Sequence, residues 1–105
     1  MIRSFRDLTV WQQSVDLAVV VYRLSEKFPS AEMFGLTAQV RRAAVSIASN
    51  IAEGKAAGGQ NYPRHVRIAL GSEAELQTQV EIAQRLGILS VTEAGDLLKI
   101  GRAHV

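Results

Sequence analysis

The sequence predicts an all-α protein, an antiparallel up-and-down four-helix bundle with a short fourth helix. Three observations carry that expectation. Apolar residues recur at three- and four-residue spacings in four separate segments, which is the helical period. Capping residues, a proline and glycines fall between those segments, where helices start and stop. No stretch alternates apolar and polar residues as a half-buried strand does. Short connections then make consecutive helices antiparallel neighbours.

With 105 residues the chain reads as one domain, 1–105. Hydrophobic residues make up 48% and aromatic residues 6%, so the core is expected to be aliphatic and alanine-rich. There is no cysteine. That excludes disulfides, thiolate metal sites and a cysteine nucleophile, and it fits a reducing cytoplasm. Arg3, Arg6 and Asp7 come early, and the apolar run 17–22 is flanked by Asp16 and Arg23. Neither a signal peptide nor a membrane span is expected. The net charge is +2 and the isoelectric point lies near 9.4, which points weakly to a polyanionic partner.

Helix one is expected to start with a capping box, Thr9 to Gln12. It should run to about Lys27 and stop at Phe28, because a residue before proline avoids helical geometry. It carries two apolar stripes at heptad spacing. One is Leu8, Trp11, Val15, Ala18 and Tyr22; the other is Val10, Leu17, Val21, Leu24 and Phe28. A helix on one core needs one stripe. Two stripes mean either a second subunit or a wide core face in a monomer. The expectation is an oligomer with Val10, Leu17, Val21 and Leu24 at its interface, since exposed apolar patches on monomers are usually small.

Helix two should begin between Ser30 and Leu36 and reach about Lys55, with Gly35 as a 3₁₀ or turn entry. Leu36, Val40, Ala43, Ile47 and Ile51 form its stripe, surrounded by Ala44, Ser46, Ala48, Ser49 and Ala52. Such small residues let helix axes approach closely. Gly54 is read as the stop, followed by a mobile glycine-rich loop over 56–59.

Helix three is expected from Asn61, as N-cap, to Leu86, with Pro63 in the first turn and Gly87 at C′. Gly71 in its middle suggests a neighbour lying against it. Helix four opens with a second capping box, Ser90 to Glu93, and supplies Leu97, Leu98 and Ile100.

The segments 5–12, 34–54 and 68–72, extended by Glu75-Leu76 and Arg85-Leu86-Gly87, cover nearly the whole chain. In them the sequence resembles the bacterial four-helix bundle proteins encoded in intervening sequences of 23S ribosomal RNA genes. The resemblance implies a ring-like homopentamer. The accessory proteins of diversity-generating retroelements are similar in fold, and they bind nucleic acid and a reverse transcriptase through a basic surface. Ala48 stands where that family tends to carry proline, which implies a straighter helix two. A resemblance of fold does not itself supply an activity.

No catalytic constellation is visible. His65 and His104 are the histidines, and neither belongs to a Glu-x-x-His pair of the kind that holds di-iron sites in bundles. His65, between Arg64 and Arg67, reads as a surface or polyanion contact. Ser46, Ser49 and Ser72 have no visible base partner. Glu73 and Glu75 project about 200° apart on a helix, and Glu73, Glu75 and Glu81 read as a solvated face, with Glu81 and Arg85 a helical pair. Asn50 and Glu53 share a helix face and suit a hydrogen-bonded pair between helices.

The cations are more informative. Lys55, Arg64, His65 and Arg67 gather around the connection between helices two and three, with Arg41 and Arg42 further along helix two. These six are the expected nucleic-acid contacts. Repetition around an oligomer would add avidity. The competing reading makes them a solvated face or ion-pair partners. No set of stacking aromatics supports sequence-specific readout. The expected function is therefore a non-enzymatic, cytoplasmic, RNA- or DNA-binding accessory protein without cofactor, metal or membrane contact. A reverse transcriptase partner is implied by the resemblance alone. The alternative is a self-assembling protein–protein scaffold that binds no nucleic acid.

Overall fold

Each predicted helix forms, and the boundaries show which local signals govern. In the computed structural model, which describes residues 3–102, the helices are α1 (Thr9–Ser25), α2 (Leu36–Ala57), α3 (Asn61–Arg85) and α4 (Val91–Arg102). Short 3₁₀ turns at Phe5–Asp7 and Ser30–Glu32 precede α1 and α2. His104 lies outside the described residues. No strand occurs among those described.

α1 packs on α2 and α4, and α3 packs on α2 and α4, so the helices close a ring in chain order. The molecule measures 43 × 23 × 18 Å. Its long axis is set by α3, about 37 Å at 1.5 Å per residue. α4 is about half as long, roughly 18 Å. Near its end Gly101 sits beside Glu73, midway along α3, where an added Cβ would lie 3.8 Å from Glu73 Oε1. The N-terminal half of α3 therefore runs on beyond α4.

The core is one aliphatic cluster. Leu17 and Val21 of α1 meet Val40, Ala44 and Ile47 of α2, Leu76, Val80 and Ala83 of α3, and Leu89, Ala94 and Leu97 around α4. Burial of this surface is the main favourable term in folding. Every helix contributes residues to it, although Ile68 and Leu70 of α3 stay exposed.

Several expectations are corrected. Thr9 is the first residue of α1, and no side chain caps that helix. Gln12 instead donates to the Arg6 carbonyl at 2.8 Å. The capping box lies one turn earlier, where Ser4 and Asp7 close on each other's backbone amides. That 3₁₀ turn sets Phe5 edge-on to Trp11, with ring centroids 5.1 Å apart. Asn61 is likewise already helical, and Gln60 before it provides no side-chain cap.

The stripe of α1 expected between subunits lies in the chain's own core. Leu17 and Val21 are 1% and 2% exposed in the chain's own core, and Val10 and Leu24 pack against it. All four were expected at an interface between subunits. They are occupied within the chain because α1 lies between α2 and α4. Of the other stripe, Leu8, Trp11 and Ala18 also pack against the core, while Tyr22 stays exposed, as does Val19 beside it.

Gly54 does not end α2. It is buried inside the helix, which continues to Ala57. Gly58 and Gly59, with φ of 70° and 55°, make the turn, and Gly58 N donates back to Gly54 O at 2.9 Å. Left-handed backbone of this kind favours glycine. Gly71, by contrast, has no neighbour where a Cβ would go. α2 runs unbroken past Ala48.

Two predicted caps form. Ser90 N donates to Glu93 Oε1 at 2.9 Å and Glu93 N to Ser90 Oγ at 3.0 Å. At the end of α3, Gly87 has φ 75°. Ile88 N then reaches Ala83 O at 2.8 Å, and Gly87 N reaches Gln84 O at 3.0 Å. That is the Schellman arrangement.

Candidate nucleic-acid interface

The end of the bundle that carries the α2–α3 turn is built on a close approach. A Cβ on Gly54 would meet His65 Cβ at 2.7 Å and Tyr62 Cδ1 at 3.2 Å. Only glycine allows α3 to lie so near α2 at this point. The two helices diverge no further than a three-residue link, 58–60, permits.

A polar network fixes the same contact. Asn50 Nδ2 donates to Ser46 O at 2.9 Å and to Ser46 Oγ at 3.1 Å. Its amide is thus committed, so Oδ1 faces His65 as an acceptor. His65 Nδ1 lies 2.9 Å from that oxygen and must carry the proton. Glu53 Oε2 is 3.9 Å from the same nitrogen. Further up, Ser46 Oγ and Ser72 Oγ share a hydrogen bond of 2.8 Å. Of the two residues expected to hydrogen-bond between helices, Asn50 does so, to His65, while Glu53 stands beyond hydrogen-bond reach. With its side chain only 14% exposed, His65 is part of the helix contact more than of the open surface.

Lys55, Arg64 and Arg67 stand exposed around this turn. None of them makes an ion pair among the described residues. No carboxylate occurs in the chain between Gly54 and Ser72, so that stretch adds no countercharge. The opposite end differs. There Lys27 Nζ meets Glu93 Oε2 at 2.5 Å, and Arg85 lies 3.6 Å from Glu81.

The other two expected contacts are not part of this group. Arg41 is turned toward α1. Its guanidinium stacks on Tyr22, 4.7 Å from the ring centroid. Nε donates to Ser25 Oγ at 2.7 Å, and Nη2 donates to Tyr22 O at 3.3 Å. A cation at the last carbonyls of α1 complements the helix dipole. Arg42 is exposed, but it sits about 20 Å up α2 from Lys55. It borders a polar groove with Gln39, Ser46, Ser72, Glu75 and Gln79. Gln79 Oε1 there is buried without a hydrogen-bond partner among the described residues.

Two further features bear on function. A shallow, largely apolar groove of about 450 Å³ runs between α1 and α2, lined by Val15, Ala18, Val19, Tyr22 and Arg23 on one side and Val45, Ala48 and Ser49 on the other. The second is Glu73, which is not solvated as expected but only 6% exposed. Burial pushes its carboxyl above the ordinary range, partly offset by a hydrogen bond from Gln77. The sequence did hold a signal for it. Ala69, Glu73, Leu76, Val80 and Ala83 follow each other at spacings of four, three, four and three, so Glu73 occupies a stripe position.

Among the described residues no group of three metal-ligating side chains comes together, and no helix is long and apolar enough to cross a membrane. A family model described as 23S rRNA-intervening sequence protein matches residues 6–102. No curated protein matches the chain significantly.

Proposed function

The chain belongs to the 23S rRNA-intervening sequence protein family, and on that premise we propose a non-enzymatic, oligomeric accessory protein that binds nucleic acid. The contact surface is the α2–α3 end, through Lys55, Arg64 and Arg67. The observation that carries this reading is that all three are exposed and without an ion pair among the described residues. Unpaired cations on a rigid mount suit phosphate contacts, which set affinity without reading sequence. RNA is the expected ligand and the cytoplasm the expected compartment. His65 supports the mount, Arg41 serves the α1–α2 contact, and Arg42 belongs to a separate surface.

Assembly enters the proposal through the α1–α2 groove. Val19, Tyr22 and Val45 are 42%, 43% and 41% exposed, and Phe34 beyond them is 93% exposed. A second copy docked there would bury apolar surface that water now covers, and a homopentamer would repeat the basic end five times. Repetition turns weak contacts into avidity. A reverse transcriptase remains a partner by resemblance only. The same groove favours a second reading, a self-assembling scaffold for a protein partner with no nucleic-acid affinity.

Fluorescence anisotropy with structured RNA across a salt series tests the choice. Log affinity should fall linearly with log salt, and Arg64→Glu with Arg67→Glu should abolish binding; milder Arg→Gln changes should reduce the slope by roughly 0.7–0.9 per lost contact. Unchanged affinity in the reversed protein would remove the assigned surface. No binding at low salt would leave the scaffold.

A further inference from the structure

Next to the Gly54–His65 contact, the part of α3 that runs on beyond α4 borders a cavity. It holds about 220 Å³ and is walled by Val10 of α1, Ile47 and Ile51 of α2, and Tyr62, Val66, Ala69, Leu70 and Glu73 of α3. Apart from the Tyr62 hydroxyl and the Glu73 carboxyl, the side chains that wall it are hydrocarbon. Glu73 is more than nine-tenths buried. Its partner among the described residues is Gln77, whose Nε2 donates to Oε1 at a long 3.3 Å. Oε2 makes no hydrogen bond among the described residues, and it keeps some contact with solvent. A buried carboxylate without a cation is costly, and here it sits at the wall of an apolar space.

We propose that this cavity is a binding site for a primary ammonium carried on an apolar stem, with Glu73 as its counter-ion. The stem replaces cavity space with contacts to Val10, Ile51, Val66 and Ala69. The ammonium donates to the carboxylate oxygen that lacks a partner. Size agrees: an apolar cavity of about 150 Å³ takes one benzene, so the larger space here admits a ring or a short alkyl chain with its amine. That chemistry is shared by a free arylalkyl- or alkylamine and by a lysine side chain, whose four-carbon stem buries readily. Arg64 lies about 200° around α3 from Tyr62, so Arg64 and the cavity occupy different faces.

Titration of the full chain with phenethylamine tests the proposal, followed by calorimetry and by methyl chemical shifts of Val10, Ile51 and Val66. The expected result is saturable binding with shifts confined to those methyls. The neutral 2-phenylethanol should bind more weakly by about tenfold, since it forgoes a charge-assisted bond. Glu73→Gln should abolish the preference for the amine. Glu73→Leu should do the same while keeping the apolar wall, which guards against a misfolded Gln variant. Arg64→Glu should leave amine binding intact. A parallel arm compares a short peptide bearing a central lysine with its norleucine analogue. Tighter binding of the free amine assigns a small-molecule ligand, and tighter binding of the lysine peptide assigns a partner's side chain; either supports the site. Equal affinity for amine and alcohol, undiminished amine binding by both Glu73 variants, or no saturable binding of amine or peptide overturns it.

Discussion

The two ends of the bundle differ in how they use most of their cations, Arg23 at the α1 end being exposed and without an ion pair among the described residues. At the end where α1 stops and α4 starts, Lys27 meets Glu93, Arg85 meets Glu81, and Arg41 caps α1 against Tyr22. Those charges are engaged within the chain. At the α2–α3 end the helices are joined by a glycine contact and a polar network from Ser72 to His65, while Lys55, Arg64 and Arg67 stay outside it. The difference teaches where to look for a ligand. A cation that holds the fold together is already used, whereas one mounted beside a self-sufficient contact is free for a partner.

The strongest way to break that comparison is to spoil the mount. Gly54→Ala places a Cβ 2.7 Å from His65 Cβ, closer than side chains pack. Overpacking of this kind costs about 1–3 kcal/mol, read as a lower urea midpoint with unchanged m. The drop should also weaken RNA binding, since Arg64 and Arg67 ride on the displaced α3. A stable Gly54→Ala protein would mean the helix contact is looser than its geometry.

The glycines also show what was legible in the sequence. Four helices, the Ser90–Glu93 box and the Gly87 stop all follow from local pattern, and all form. Gly54 was misread because a glycine followed by small residues looks locally like a helix end. Its actual reason is His65, which arrives from another helix. Gly71 was misread in the reverse sense. The cluster at Lys55, Arg64 and Arg67 was readable because it is contiguous around one turn. Arg41 and Arg42 were grouped with it by sequence, yet adjacent residues on a helix face about 100° apart and so meet different neighbours. Glu73 was readable from its stripe position but was assigned by residue type instead.

The network comes next in size. Asn50→Ala leaves His65 Nδ1 without its acceptor, and an unsatisfied buried donor costs about 1–3 kcal/mol. His65→Phe removes both partners' need for each other on the α3 side only, so it should be milder unless Asn50 Oδ1 finds water. A double-mutant cycle on thermal or urea unfolding separates the coupling from the packing. No coupling between Asn50 and His65 would show the 2.9 Å contact to be incidental. Gly71→Ala is smaller and of opposite sign. That site is exposed, helical and open, so alanine should stabilise by about 0.5–1 kcal/mol.

The smallest effects come from two carboxylates that titrate in opposite senses. Hydrogen bonds from Lys27 and from the Ser90 backbone hold Glu93 below its ordinary value near 4.5. Between that lowered value and 4.5 the unfolded chain binds more protons, so stability rises with pH there and is lost as the solution is acidified through the native value. Burial holds Glu73 above the same ordinary value. Between 4.5 and its raised value the folded chain binds more protons, so stability falls as pH rises through that window. Urea midpoints measured across acid to neutral pH should therefore pass through a maximum near 4.5 in the part that these two groups control. Glu93→Gln should flatten the acid limb, and Glu73→Gln the limb above it. An acid limb untouched by Glu93→Gln would show that the Lys27 contact at the far end is screened away, and that the two ends differ less in paired charge than their geometry implies.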